Sequence, residues 1–368
     1  METSTPPTRS GTPLRPAPDL DEVTKVARGI ATAVAPEDGV TDTQAALLQA
    51  IASALTGIEV DYRDLEPMEP DELAKVLEGQ DDDYRQRIVH HMVLGELVLR
   101  PLPHEVAARV ATYAHALGIE DDFVDVARRY AQGAFGLAWV DLRRSGFTDR
   151  WDDTRLDGLH TQVSFEGPFE APVPDRELEA RWEAFADLPD GTLGRAIWEM
   201  YTGRGFSLPG NAHGAPAFIA QHDFVHVLAD YGTNLEGELE TFALVARADP
   251  DPKGFAWLAT MVGLFETGYV HEQGFFQIDV RERSLQSPGM GVRLADALRR
   301  GKVVAEQFGT DLFYVDFHAL ANSGLDDART YLHLPPKSAE ALAAGSPGAF
   351  DLDGMSAQQR EVVQGSSR

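Results

Sequence analysis

His222 and His226 stand four positions apart in the segment QHDFVHVLADYGTNLEGELETFALVARA, residues 221–248. On an α-helix that spacing puts both imidazoles on one face, about one turn apart. Asp223 precedes His226 by three positions and leans over the same edge. Gly232 is placed to end this helix and Asn234 to cap a second one. Glu238 then falls in the first turn or so of the second helix, and a tight helix–turn–helix can return its carboxylate to the imidazoles. Two imidazoles and two carboxylates make a zinc site that would also suit iron or manganese. Spacing alone fits ordinary buried or ion-paired side chains as well, and the residues by themselves leave both readings open.

The elements that must position these side chains read as helices. Asp175 and Thr192 cap two short ones, and a Gly/Pro-rich loop follows at 203–216. Further helices are expected over 216–231, 235–248, 254–272, 290–308 and 325–332. Nearer the N-terminus, Ala45, Leu48, Ile51 and Leu55 recur at helical spacing, with Gly57 as the stop. Pro70 and Asp71 start the next helix and Gly79 ends it; Ile88, Met92, Leu94 and Leu97 mark a buried face. Pro103 opens and Gly118 closes another helix, and Asp121 or Asp122 begins one that runs through Val126, Tyr130 and Phe135. Only TQVSFEG and LFYVDF alternate, so no sheet is expected. The fold class is all-α, with helical domains at 40–146 and 175–337 joined by a linker at 147–174. Residues 1–39 and 338–368 are expected to be disordered tails.

A net charge of −27 repels phosphate backbones and opposes general adsorption to anionic lipid, which argues against a nucleic-acid partner. The absence of cysteine excludes disulfides and thiolate zinc sites. The N-terminus lacks the apolar core of a signal peptide. The apolar stretch from Gly254 to Phe265 is shorter than the roughly 20 residues a bilayer span needs. A cytoplasmic location is therefore expected, with any membrane contact peripheral, at the inner face. Phe255, Trp257 and Met261 are available to cover a lipid chain, and Arg299, Arg300 and Lys302 to hold a phosphate or an anionic head group. An ordinary core and a solvated helix face are the plainer readings of the same residues. His90 and His91 point about 100° apart on a helix and read as structural. His271 and Glu272 read as a core pair, with support of a metal ligand as the alternative. His213 reads as an exposed loop residue.

The pattern H-D-x-x-H, eleven residues, E, standing here as His222, Asp223, His226 and Glu238, resembles the signature of the coenzyme Q synthesis protein 4 family. LPDGTLGRAIWEMYTGRGF (188–206) is similar to that family's L-P-x-G-(S/T)-L-G-(R/H)-A block, and HVLADYGTNLEGELE to its H-V-L-T-x-x-G-T-x-x-x-G-E-L. RLADALRRGK and LDDARTYLHLPP resemble its C-terminal helices, so the likeness spans about 175–337. Phe224 and Val225 stand where the family often carries Leu-Trp. The resemblance implies a metalloprotein of ubiquinone biosynthesis, with a divalent metal, zinc first among the candidates, on these four residues. It implies decarboxylation and hydroxylation of a ring carbon on a prenylated aromatic quinone precursor, in company with other enzymes of that pathway. The alternative is a non-catalytic isoprenoid-lipid-binding scaffold with a structural metal. Over 40–146 the chain looks like the tellurite-resistance TerB-like helical domains, although GELVLRPLPHEV lacks their Asp-Gly pair.

Overall fold

The computed structural model describes residues 18–99, 101–120, 124, 158–161, 163, 173–251, 254–266 and 284–366. Among them the fold is all-α. Thr192 and Gly324 make one isolated bridge, and no strand is present. Residues 312–317, which alternate in sequence, form a 3-10 turn and the start of a short helix instead.

The N-terminal half contributes α1 (Leu20–Val34), α2 (Asp42–Thr56), α3 (Pro70–Val76), α4 (Asp82–Leu97) and α5 (His104–Ala116). α1 falls inside the stretch expected to be a tail. The Pro/Thr/Ser-rich composition stops near Asp19, which caps α1 by accepting from the Glu22 N–H. Val23, Val26, Ala27, Ile30 and Val34 then recur at helical spacing and are buried. A capping box of Thr41 and Gln44 starts α2, and Gly57, left-handed at φ 76°, ends it. The Gln44 amide also donates to the Val34 and Gly95 carbonyls, at 2.8 and 2.9 Å, and so ties α1 and α4 to α2. Gly118, with φ 71°, follows α5 as expected. The helix expected from Asp121 or Asp122 lies outside the described residues but for Val124.

In the second half come α6 (Arg176–Glu183), α7 (Leu193–Arg204), α8 (Ala217–Ala229), α9 (Leu235–Ala248), α10 (Phe255–Glu266) and α11 (Met290–Gln307). Asp175 and Thr192 cap α6 and α7 through their side chains. The short helices α12 (Phe317–Leu320) and α13 (Leu325–Tyr331) follow. α9 and α2 both pack on α11, while α10 packs on α4. One continuous apolar cluster therefore draws on both halves, from Val23 to Leu334. Where the expected linker is described it lies against the second half. His160 Nε2 is 2.9 Å from Asp316 Oδ1, and the Thr161 hydroxyl donates to Asp175 at 2.7 Å.

The expected C-terminal tail is folded. α14 (Ala339–Ala343), a 3-10 turn at Leu352–Gly354 and α15 (Ala357–Ser366) continue the chain. Ala341, Ala349, Met355 and Gln359 are buried there. The segment's small, polar composition hides its role because its contacts are made by backbone groups and a few inward side chains, to α7 and to the turn after α8. Among the described residues no helix is long and apolar enough to cross a membrane.

Candidate metal centre

α8 carries His222 and His226 on one face, and α9 carries Glu238 in its first turn. The turn between them is short and tightly specified. Asp230, in the left-handed region at φ 59°, ends α8, whereas Gly232 was the expected stop. Gly232 is needed for another reason: a Cβ there would meet the backbone of Gly354. Asn234 caps α9 as expected, accepting from the Gly237 N–H at 2.9 Å. A Cβ on Gly237 would lie 2.0 Å from the Gly232 carbonyl oxygen, so the sharpness of the turn depends on that glycine.

Two arginines satisfy the carbonyls that the end of α8 leaves open. Arg329 donates to Leu228 and Val227 at 2.8 and 3.3 Å, and Arg300 donates to Ala229 at 3.0 Å. Their positive charge also complements the negative end of the helix dipole.

Within this frame the ligating atoms of His222, His226 and Glu238 lie within 4.8 Å of one another, and all three residues are buried. Glu238 Oε2 is 3.4 Å from His222 Nε2 and 3.3 Å from His226 Nε2. Both outer ring nitrogens are occupied. His222 Nδ1 bonds the Ile219 carbonyl, and His226 Nδ1 meets the Thr241 hydroxyl at 3.1 Å. Because the Ile219 carbonyl can only accept, His222 carries its proton on Nδ1 when neutral, which leaves the Nε2 lone pair facing inward. His226 Nε2 and Glu238 Oε2 are buried with no hydrogen-bond partner. Buried polar atoms of this kind are rare unless a ligand, water or ion satisfies them.

Asp223 stands beside this trio and not within it. Its Oδ1 lies 3.4 Å from His222 Nε2, while Oδ2 accepts the Tyr201 hydroxyl. Burial opposes charge on His222, but the Asp223 and Glu238 carboxylates outweigh it and raise its pKa to about 9. Burial likewise opposes ionisation of Glu238, yet the two imidazoles hold its carboxyl well below the usual range. Buried Arg204 adds a compensating charge. Desolvation lowers it to about 10 against the pull of Asp223 and Glu238, and its Nε donates to Thr233 at 2.7 Å.

The other expected site residues sit elsewhere. Phe255, Trp257 and Met261 are buried, at 2%, 9% and 6% exposure. Trp257 stacks on Phe313, with ring centroids 4.8 Å apart. The basic cluster is split. Arg299 is exposed. Arg300 is buried, donating to Ala229 and Pro335 beneath Tyr231. Lys302 reaches the Leu55 carbonyl at 3.4 Å. Spacing on a helix separates these residues by about 100° per position, so consecutive arginines cannot share one face. His90 and His91 are both buried, His213 is exposed, and His271 and Glu272 lie outside the described residues.

Tyr201, Arg204 and Thr241 were not anticipated as parts of the site. Thr241 had a signal, since it follows Glu238 by three positions and so shares its helix face. Tyr201 and Arg204 come from a separate helix and had none. No family model, curated protein or solved structure matches the chain.

Proposed function

We propose that the chain is a metalloprotein in which His222, His226 and Glu238, with Asp223 at the edge, hold one divalent ion, zinc first among the candidates. The observation that carries this reading is the pair of buried, unsatisfied atoms, His226 Nε2 and Glu238 Oε2, facing each other beside His222 Nε2. The charge supports it as well. Two buried carboxylates, Asp223 and Glu238, act on one buried guanidinium, Arg204, and hold a proton on His222, a positive charge whose place a bound cation can take. Ile219 and Thr241 hold the outer nitrogens, as the outer partners of metal-bound imidazoles generally do. Such an ion, when bound, supplies a Lewis acid that polarises a substrate oxygen or activates water.

Asp223 commits one oxygen to Tyr201, and the tight group numbers three residues. Three protein ligands is the count of catalytic zinc sites, and four that of structural ones. This favours an enzyme over a scaffold. The reaction class rests on the resemblance to the coenzyme Q synthesis protein 4 family, carried by His222, Asp223, His226 and Glu238 and by the flanking LPDGTLGRA and GTNLEGEL blocks. On that reading the substrate is a prenylated aromatic carboxylic acid whose carboxyl group leaves as carbon dioxide, while dioxygen, with an external two-electron donor, gives one oxygen atom to the ring and the other to water, since zinc has no redox chemistry of its own. Such a substrate resides in a bilayer, so the protein meets the membrane surface peripherally or receives the substrate from a partner enzyme.

Elemental analysis of the purified parent chain should find about one divalent ion per chain, and His226→Ala should lose most of it while remaining helical. Unchanged metal in that variant would remove the assignment. Mass spectrometry should then show the metal-loaded chain consuming a prenylated hydroxybenzoate. Retention of that compound without conversion would favour the scaffold.

A further inference from the structure

A second feature lies where the N-terminal helices meet α9 and α10, and it does not depend on the metal reading. A cavity of about 190 Å³ opens between α1, α2, α4 and the corner where α9 gives way to α10. Val26, Ile30, Leu48, Ile51, Leu55 and Ile88 wall it with aliphatic groups. An apolar cavity of about 150 Å³ is enough to hold a benzene ring, so by the same scale this one takes a chain of roughly eight carbons.

Polar groups gather at one end, namely Arg87 and His91 from α4, Arg247 from the last turn of α9, and Asp249 and Asp251 just beyond it. His91 is 6% exposed and its Nε2 has no hydrogen-bond partner, although its ring packs edge-on against Phe255 with centroids 5.1 Å apart. Burial keeps this imidazole uncharged, with its pKa down at about 3, and in the Nε2–H tautomer the unpartnered nitrogen is a donor. Arg247 forms no hydrogen bond or ion pair among the described residues. Burial first, and then the neighbouring Arg87, lower it to about 10 against the pull of Glu306, and it still carries its charge at neutral pH. Arg87 spends one N–H on the Pro250 carbonyl at 3.1 Å. Asp249 accepts from the Asp251 N–H at 2.9 Å. Arg87 and Arg247 both act on His91, so a single negative charge is favoured beside them, while Asp249 and Asp251 on the rim disfavour multiply charged heads such as phosphate.

The geometry points to a binding site for a medium-chain monocarboxylate, with its alkyl chain among Val26, Ile30, Ile51 and Leu55 and its carboxylate at Arg247 and His91. The arginine supplies a charge-assisted hydrogen bond, and the imidazole N–H a second donor. A neutral head of the same chain length keeps the apolar contact and loses the charge.

Titration calorimetry of the delipidated full chain with octanoate and with 1-octanol tests this directly. Octanoate should bind once per chain, at least tenfold more tightly than 1-octanol. Arg247→Met should cost octanoate at least tenfold and leave 1-octanol unchanged. Ala52→Phe, which fills the cavity from α2, should abolish both, with circular dichroism confirming that each variant is folded. Absence of saturable octanoate binding to the parent chain overturns the assignment. So does equal binding of acid and alcohol, or an Arg247→Met variant that binds octanoate as the parent does. If Ala52→Phe does not fold, the Arg247→Met comparison decides alone.

Discussion

Gly232 and Gly354 meet backbone to backbone. A Cβ on Gly232 would lie 2.5 Å from the Gly354 Cα, and the Gly354 carbonyl accepts from the Thr233 and Asn234 N–H groups at 2.6 and 3.0 Å. The C-terminal segment thus fastens the turn that brings Glu238 to the two histidines. Removing residues 339–368 would strip those N–H groups of their acceptor and free Arg204 from the Ala349 carbonyl. The truncated chain should lose about 3 kcal/mol or more in urea unfolding, in the range for broken buried networks. It should also lose metal. Retention of both the parental midpoint and the metal would show that the segment only decorates the surface.

Gly237→Ala should be as severe from the other side of the turn. The added methyl would sit 2.0 Å from the Gly232 carbonyl oxygen, and a backbone atom cannot swing away as a side chain can. A loss of about 2–4 kcal/mol is expected, against the small gain that an alanine gives an unhindered helix position. A denaturant midpoint equal to or above that of the parent chain would contradict this packing.

Thr241→Val removes the oxygen that meets His226 Nδ1 at 3.1 Å while keeping the shape of the side chain. Outer partners of this kind are worth about 10–100-fold in metal affinity. Zinc competition with a chromophoric chelator should show a loss in that range, and Thr241→Ser should restore most of it. If valine and serine behave alike, the hydroxyl does not position the imidazole.

Metal removal should register in stability. An ion present at 100 times its dissociation constant stabilises the folded chain by about 2.7 kcal/mol. Dialysis against chelator should therefore lower the melting temperature of the parent chain, and re-addition should restore it. His226→Ala should melt at one temperature under both conditions. A parent chain indifferent to chelator would argue against an ion linked to folding.

Much of the site was legible because its geometry is local. The four-residue spacing of His222 and His226, the Asn234 cap and the position of Glu238 are fixed by helix dimensions, and α8 and α9 follow them. The all-α class was legible for the same reason, since caps, stops and apolar periodicity lie within a few residues of one another. The tertiary structure decided what covers each face. It set Arg300 and Arg329 on the end of α8, although a cationic helix face reads the same whether it meets water, lipid or a carbonyl. It buried Phe255, Trp257 and Met261 among other rings, although an apolar stretch does not name its neighbour. It brought Tyr201 to Asp223 and Gly354 to Gly232 across long stretches of chain. Periodicity shows that a face must be covered, but only the packing of distant segments, each satisfying the other's backbone and charge, determines what covers it.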